Sequence, residues 1–469
     1  MIHTERQKSV AASSSLRRLG YRELVQFLDE RWDSALLDRS LATVKKLDEA
    51  LSKPSASIKT VFVAGTNGKS LTINFLSQLL KAEGLCVGSL CSPHMVTYNE
   101  RISLNVDPIS DSELVEVGND VIEAAHLLNL SPHAADLLTV MALAYFSRKK
   151  VDVAVLEVSY DCSWDPVAIC DPLVCAITRV TDYTEEADDQ TIRKSVERFA
   201  PIVRKGTWVV AADQSKFNLQ VVQDMVHKNN AQWAMPIRKL SVLKYPFEQL
   251  HGRCAALAER IGQIFIQNYV PTLVSDSLLA KPKGLRGRPT LEAKRLSEIN
   301  PKRTVEQFWQ ATATTIPGRF QMLANCKPPV LLDNASNIDA FVNLLLGVRL
   351  LHYQRPLKGL VIIAACQDNK LHSTEYFKML RYFFKKTAGQ IIFCPVDSDA
   401  QNRKEGTSFD VEQMTNDVKN TKVKAKSAKN LAQALDMAKK SVDEQEGLIV
   451  ITGSRAAISQ FWHITGDSK

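Results

Sequence analysis

The stretch Val61-Phe-Val-Ala-Gly-Thr-Asn-Gly-Lys-Ser70 restricts this chain more than any other, because a β-branched and aromatic run delivers two glycines and a lysine to an amphipathic helix. Glycine lets backbone N–H groups approach phosphate oxygens closely. The helix that follows presents its positive end, and Lys69 adds a mobile charge. Thr72, Phe75, Leu76, Leu79 and Leu80 fall on one helical face, and Gly84 is placed to end the helix. The common phosphate-loop form needs a glycine where Val63 stands, so Gly65-Thr-Asn-Gly68-Lys69 is a shorter loop. A plain tight turn between a buried strand and a helix is the competing reading.

Apolar runs at Thr60–Ala64, Cys86–Leu90, Val151–Val158, Leu173–Thr178 and Thr207–Ala212 read as strands, with helical patterns at Ala135–Lys149 and Gln190–Arg204 between them. Val330–Asp333, Gly359–Ala364, Gln390–Cys394 and Leu448–Thr452 repeat the theme. Near-continuous apolar strands alternating with helices mean parallel sheets, so the fold class is α/β with two doubly wound domains. A length of 469 residues, 45% of them apolar, is enough for two cores. The basic, Pro- and Gly-bearing run Lys281-Pro-Lys-Gly-Leu-Arg-Gly-Arg-Pro289 reads as a connector. It interleaves no aromatic residues and carries no recognition motif, so no nucleic-acid partner is expected. No window holds eighteen apolar residues in a row, which argues against a membrane partner. Nine cysteines without a Cys-x-x-Cys pair read as small buried hydrophobes in a reducing, cytoplasmic setting. A net charge of +8 favours the approach of anionic ligands.

Beyond the loop lie Ser92-Pro-His94, Asn99-Glu-Arg-Ile102 and Pro108-Ile-Ser110. In this order the motifs resemble those of folylpolyglutamate synthase and dihydrofolate synthase, members of the Mur ligase superfamily. The resemblance runs from about Leu37 to about Ser454, dense in the first half and patchy in the second. It implies an N-terminal ATPase domain over 18–280 and a smaller Rossmann-like domain over 313–469. A basic linker at 281–312 would join them, after a partly disordered start at 1–17. It also implies a cytoplasmic monomer that takes ATP, Mg2+, L-glutamate and folate or dihydropteroate.

Site residues carry over position by position. Gly65, Thr66, Asn67, Gly68, Lys69 and Ser70 would cradle ATP, joined by Arg319 from Pro317-Gly-Arg319 and Asp333 from Val330-Leu-Leu-Asp333. Lys69, Glu157 and Arg319 would be catalytic. Ser92, Glu157 and Asp182 would hold magnesium, and Asp165 and Arg101 would face the substrate. Taken singly, each has a bland alternative: a turn at Ser92-Pro93, a strand-end ion pair for Glu157, a strand-end cap for Asp333, and a surface pair for Arg319.

Departures are as informative. The family's pterin-side segment appears here as Asp161-Cys-Ser-Trp-Asp165-Pro-Val-Ala168, and its Asp-His metal pair as Asp182-Tyr183. A lysine that is carbamylated to hold a second magnesium aligns with Phe199, an adenine-side asparagine with Ala255, and a histidine with Ser336. The activity implied is ATP-dependent addition of L-glutamate to a folate-type carboxylate through an acyl phosphate. Two alternatives stay open: a Mur-type ligase with another acid or amine, and a catalytically degenerate nucleotide-binding member.

Overall fold

A computed structural model describes residues 17–32, 40–159, 162–181, 187–236, 248–270, 277–279, 305–312, 316–367, 371–396 and 409–466. Their strands build two sheets. The first contains β1 (Thr60–Ala64), β2 (Val87–Leu90), β3 (Ile102–Leu104), β4 (Asp107–Pro108), β5 (Val153–Glu157), β6 (Pro172–Ile177), β7 (Trp208–Ala211) and β8 (Gln232–Ala234), in the order β4-β3-β2-β5-β1-β6-β7-β8. Pairing from β2 through β8 is parallel, and β3 and β4 add an antiparallel edge. The second contains β9 (Gln321–Leu323), β10 (Val330–Leu332), β11 (Leu360–Cys366), β12 (Gln390–Pro395), β13 (Ala425–Ser427) and β14 (Leu448–Thr452), in the order β13-β12-β11-β14-β10-β9. It too is parallel, apart from β9.

Every residue of β1, β5, β11 and β14 is buried because helices cover both sheet faces. Along β1, Phe62 and Ala64 enter one core while Val61 and Val63 enter the other, as the strand's two-residue period requires. The second sheet divides the same way, Leu331 facing one core and Val330 and Leu332 the other. At the carboxyl end of β1 the loop runs into the helix Lys69–Ala82, whose Thr72, Phe75, Leu76, Leu79 and Leu80 are all buried. That helix closes as expected at Gly84, where φ is +84° and Leu85 N–H bonds to Leu80 C=O.

Two expectations need correction. The helix expected over 190–204 spans only Asp189–Glu197, followed by a short 3-10 turn at Ala200–Ile202, because Pro201 has no N–H to continue the ladder. The linker expected over 281–312 lies outside the described residues as far as 304, but its last part folds as the helix Val305–Ala311. Trp309 is fully buried there, edge-on to Phe75, and its indole N–H donates to Glu259 at 3.0 Å. An aromatic residue with its one polar atom satisfied belongs to the core that Val61, Val63 and Phe75 enter, and not to a solvated connector. Residues 1–16 lie outside the described residues. Among the described residues no helix is long and apolar enough to cross a membrane.

Candidate active site

Parallel sheets place ligands beyond the carboxyl ends of their strands, where the strand order reverses. In the first sheet β1 and β5 are neighbours with Val63 in register with Glu157, so the loop after β1 and the last side chain of β5 emerge side by side. The loop's shape depends on glycine at two places. Gly65 has φ +124°, and a Cβ there would come within 2.2 Å of Thr178 Oγ1. Gly68 has φ +93°, and its Cβ would meet Cys254 Sγ at 3.0 Å.

Lys69 folds back over the loop, donating to Gly65 C=O at 2.9 Å and Thr66 C=O at 3.4 Å, with its ammonium 3.7 Å from Glu157. Glu157 is 4% exposed. Its Oε2 accepts from Ser70 Oγ at 3.3 Å and from Ser92 N–H at 3.2 Å. The segments after β1 and β2 thus bring the Ser70 hydroxyl, the Lys69 ammonium and the Ser92 N–H to the Glu157 carboxylate at the end of β5, with Ser92 lining the same cavity. Among the described residues no three His, Cys, Asp or Glu side chains form a metal cluster. One carboxylate and two hydroxyls instead match a hard divalent cation that completes its shell with phosphate oxygens and water.

Arg101, expected on the substrate side, is buried behind Ser92. It donates to Ser92 Oγ and to His94 Nδ1, both at 2.8 Å. His94 therefore carries its proton on Nε2. Burial, then the charges of Arg101 and Arg455, push its pKa down to about 2, so the ring is neutral at any working pH. Asp165, the other substrate-side candidate, is 2% exposed and spends its carboxylate on Ser159 N–H at 2.8 Å and Val167 N–H at 3.1 Å. It braces a turn and is not among the residues lining the cavity. Asp182 and Tyr183 lie outside the described residues. Phe199 is buried in the first core and Ala255 is fully buried in the second, and neither is among the residues lining the cavity.

The second sheet supplies the opposite wall. Arg319 lies near Asp333 and Glu157; burial lowers its pKa, and those two carboxylates work against the shift. Asp333 follows β10 and accepts from Phe320 N–H and Ala335 N–H, each at 2.9 Å. Desolvation raises its pKa to about 6, with Arg319 and the two N–H groups opposing. Arg455, at the start of the helix Arg455–Thr465, is 8% exposed, lines the cavity and donates to His94 C=O at 2.8 Å across the two halves. Nothing in the sequence pattern singled out Arg455; only the β14 strand-end position ahead of a serine-capped helix hinted at it.

Between the walls lies a cavity of about 660 Å³, lined by Lys69, Ser92 and Glu157 from one side and Arg319, Asp333 and Arg455 from the other. That volume lies within the range of small-molecule and cofactor sites. Ser336 also lines it, exposed.

Two doubly wound sheets facing each other across a phosphate-type loop form the Mur ligase fold. In sequence the chain is 27% identical over 311 residues to the dihydrofolate synthase/folylpolyglutamate synthase of Bacillus subtilis, covering 63% of this chain and 69% of that one. It is 28% identical over 335 residues to the folylpolyglutamate synthase of Lacticaseibacillus casei, covering 68% and 74%. The solved Mycobacterium tuberculosis folylpolyglutamate synthase complexed with ADP superimposes with a TM-score of 0.73 at 21% identity, over 95% of this chain and 98% of that one. The chain's likeness is thus to the folylpolyglutamate synthase/dihydrofolate synthase family. No protein-family model matches it.

Proposed function

We propose that this chain is an ATP-dependent ligase that joins L-glutamate to a folate-type carboxylate through an acyl phosphate, acting as a cytoplasmic monomer without nucleic-acid or membrane partners. One observation carries the reading: Lys69, Ser70, Ser92 and Glu157 converge at the strand ends facing Arg319 and Asp333 across one cavity. A carboxylate cannot lose oxygen at neutral pH, so one of its oxygens first attacks the γ-phosphorus. The bond from that phosphorus to the β–γ bridging oxygen breaks, and ADP leaves. The glutamate nitrogen then attacks the acyl carbon, the carbon–oxygen bond to phosphate breaks, and the nitrogen gives up a proton.

Both steps crowd negative charge, so positioning and fixed cations are the main demand on the protein. Lys69 moves from the loop carbonyls to phosphate oxygens, and Arg319 approaches them from the second sheet. Ser92 and Glu157, with Ser70 beside them, would hold magnesium, which supplies charge neutralisation on the phosphates. Arg101 keeps Ser92 oriented from behind and is a positioning residue. The domains assigned to 18–280 and 313–469 contribute one wall each.

A degenerate nucleotide-binding member is the second reading, favoured by the burial of Phe199, which leaves no lysine at that position. Incubating the purified chain with MgATP, labelled glutamate and a panel of pterin acids separates the two. A labelled amide product supports the ligase. ATP binding with no product from any acceptor supports the degenerate member.

A further inference from the structure

The phosphate loop is gripped by the opposite domain. Asn67, at its tip, exchanges two amide hydrogen bonds with Asn337, each 3.0 Å, and donates a further one to Asp339 Oδ2 at 2.9 Å. Asp339 Oδ1 accepts from Arg179 Nε at 2.8 Å. Arg179 grips the loop from the other end of its own residue, because its C=O accepts from Thr66 N–H at 2.9 Å and Asn67 N–H at 3.1 Å. Asn337 is the N-cap of the helix Ile338–Gln354, its side chain accepting from Ala340 N–H, and Asp339 sits in that helix's first turn. A carboxylate in the first turn of a helix is favoured by the helix dipole, and Asp339 there also pairs with Arg179.

We propose that Arg179 and Asp339, with Asn67 and Asn337, form a clasp that seats the second sheet on the phosphate loop, and that Arg179 and Asp339 are therefore positioning residues for phosphoryl transfer. The inference rests on the ligase reading for its kinetic consequence, but the clasp itself is a statement about ligand-free geometry. Two features support it. The same residue, Arg179, fixes the loop backbone and the partner carboxylate, so displacement of one is felt by the other. The contacts also join groups far apart in sequence, Asn67 with Asn337 and Arg179 with Asp339, which only the docked arrangement brings together. Closing the site this way sets Arg319 and Asp333 opposite Lys69 and Glu157 before the nucleotide arrives, which lowers the ordering cost left for the bound state.

The test is a charge swap: Arg179→Asp, Asp339→Arg, and the two combined. Each single variant places like charges opposite each other and should lower kcat about tenfold, the scale of one charge-assisted hydrogen bond. ATP affinity, which rests mainly on the loop, should change far less. Small-angle X-ray scattering without ligand should give a larger radius of gyration for each single variant. The double variant, with the pair restored in reverse, should recover both the wild-type radius and most of kcat. Single variants with wild-type kcat and radius, or a double variant no better than the worse single one, overturn the clasp. Absence of product from the wild type would sink the ligase reading instead, while the scattering series would still decide the clasp.

Discussion

The two walls of the cavity solve the same electrostatic problem with different economy. On the first wall, side chains act directly on one another: Lys69, Ser70 and Glu157 meet at 3.7 Å or less, and five of the six residues 65–70 line the cavity or bond to it. On the second wall much of the polar capacity goes to holding backbone, as when Asp333 takes the N–H groups of Phe320 and Ala335. A loop that must make one particular turn needs its residues in a row. A wall assembled from the ends of β10 and β14 and the segment before β9 can draw them from anywhere. The first is therefore brittle to substitution and the second more forgiving.

The largest expected effect is on the first wall. Glu157→Gln keeps the volume and removes the charge, and should cut turnover by about a thousandfold, as removing one group aimed at transition-state charge does. Lys69→Met should do likewise. Because Lys69 also ties Gly65 and Thr66 and faces a buried carboxylate, it should in addition cost about 1–3 kcal/mol in ligand-free stability. Steady-state rates and denaturant melts read both. Unchanged stability would mean that the loop holds its shape without the lysine.

Next in size is Phe199→Lys, which sequence alignment alone would favour as a repair of a metal site. Phe199 is 2% exposed in the first core, so burying an ammonium there should cost about 3 kcal/mol or more and raise no rate. A folded, faster variant would place Phe199 within reach of the cavity and redraw the first wall.

Matched glycine substitutions sharpen the contrast further. Gly65→Ala drives a Cβ to 2.2 Å from Thr178 Oγ1 at φ +124°, a backbone region that alanine avoids. Gly318→Ala, at φ +61° with Ile458 no closer than 3.2 Å, meets only the milder left-handed penalty of about 1–2 kcal/mol. Thermal melts should rank Gly65→Ala clearly below Gly318→Ala, and the reverse ranking would undo the claim that the first wall is the brittle one.

The smallest effect is in the pH profile. Asp333 titrates near 6, above the ordinary carboxylate value of about 4, so between those values the native state holds a proton that the unfolded chain has released. Its contribution to stability is therefore full below pH 4 and is lost as pH rises through 6. Activity runs the other way, since Arg319 needs the ionised partner, and kcat/KM should fall about twofold by pH 6. Asp333→Asn should flatten both curves. His94, held near 2, contributes no limb in this range, so a limb that survives in Asp333→Asn but vanishes in His94→Gln would reverse the assignment.

Much of the first wall was legible beforehand because its chemistry is coupled to local geometry. Thr60–Ala64 and Leu448–Thr452 appear with the expected bounds, and Glu157 stands at the end of its strand. The short strands β3, β4, β8, β9 and β13 were missed because two or three residues carry too little periodicity. Pro201 was overlooked inside an amphipathic pattern that otherwise reads as continuous helix. Arg101 and Asp165 are expected as substrate contacts from their motifs; in the ligand-free structure Arg101 donates to Ser92 and His94, and Asp165 accepts from the backbone of Ser159 and Val167, partners that a motif does not reveal. The clasp had no local signature at all, because Asn67 and Asp339 gain their meaning only when two sheets dock.

The ligase account stands most directly on the fate of one oxygen atom. If the acceptor carboxylate is activated as an acyl phosphate, then acceptor carrying ¹⁸O in its carboxylate must pass one labelled oxygen to each inorganic phosphate released in the presence of MgATP and glutamate. Mass analysis of the phosphate from wild-type turnover should find that single transferred atom. Phosphate released without label would contradict the account, because it would mean that ATP is cleaved by water and that the two walls do not join an acid to an amine.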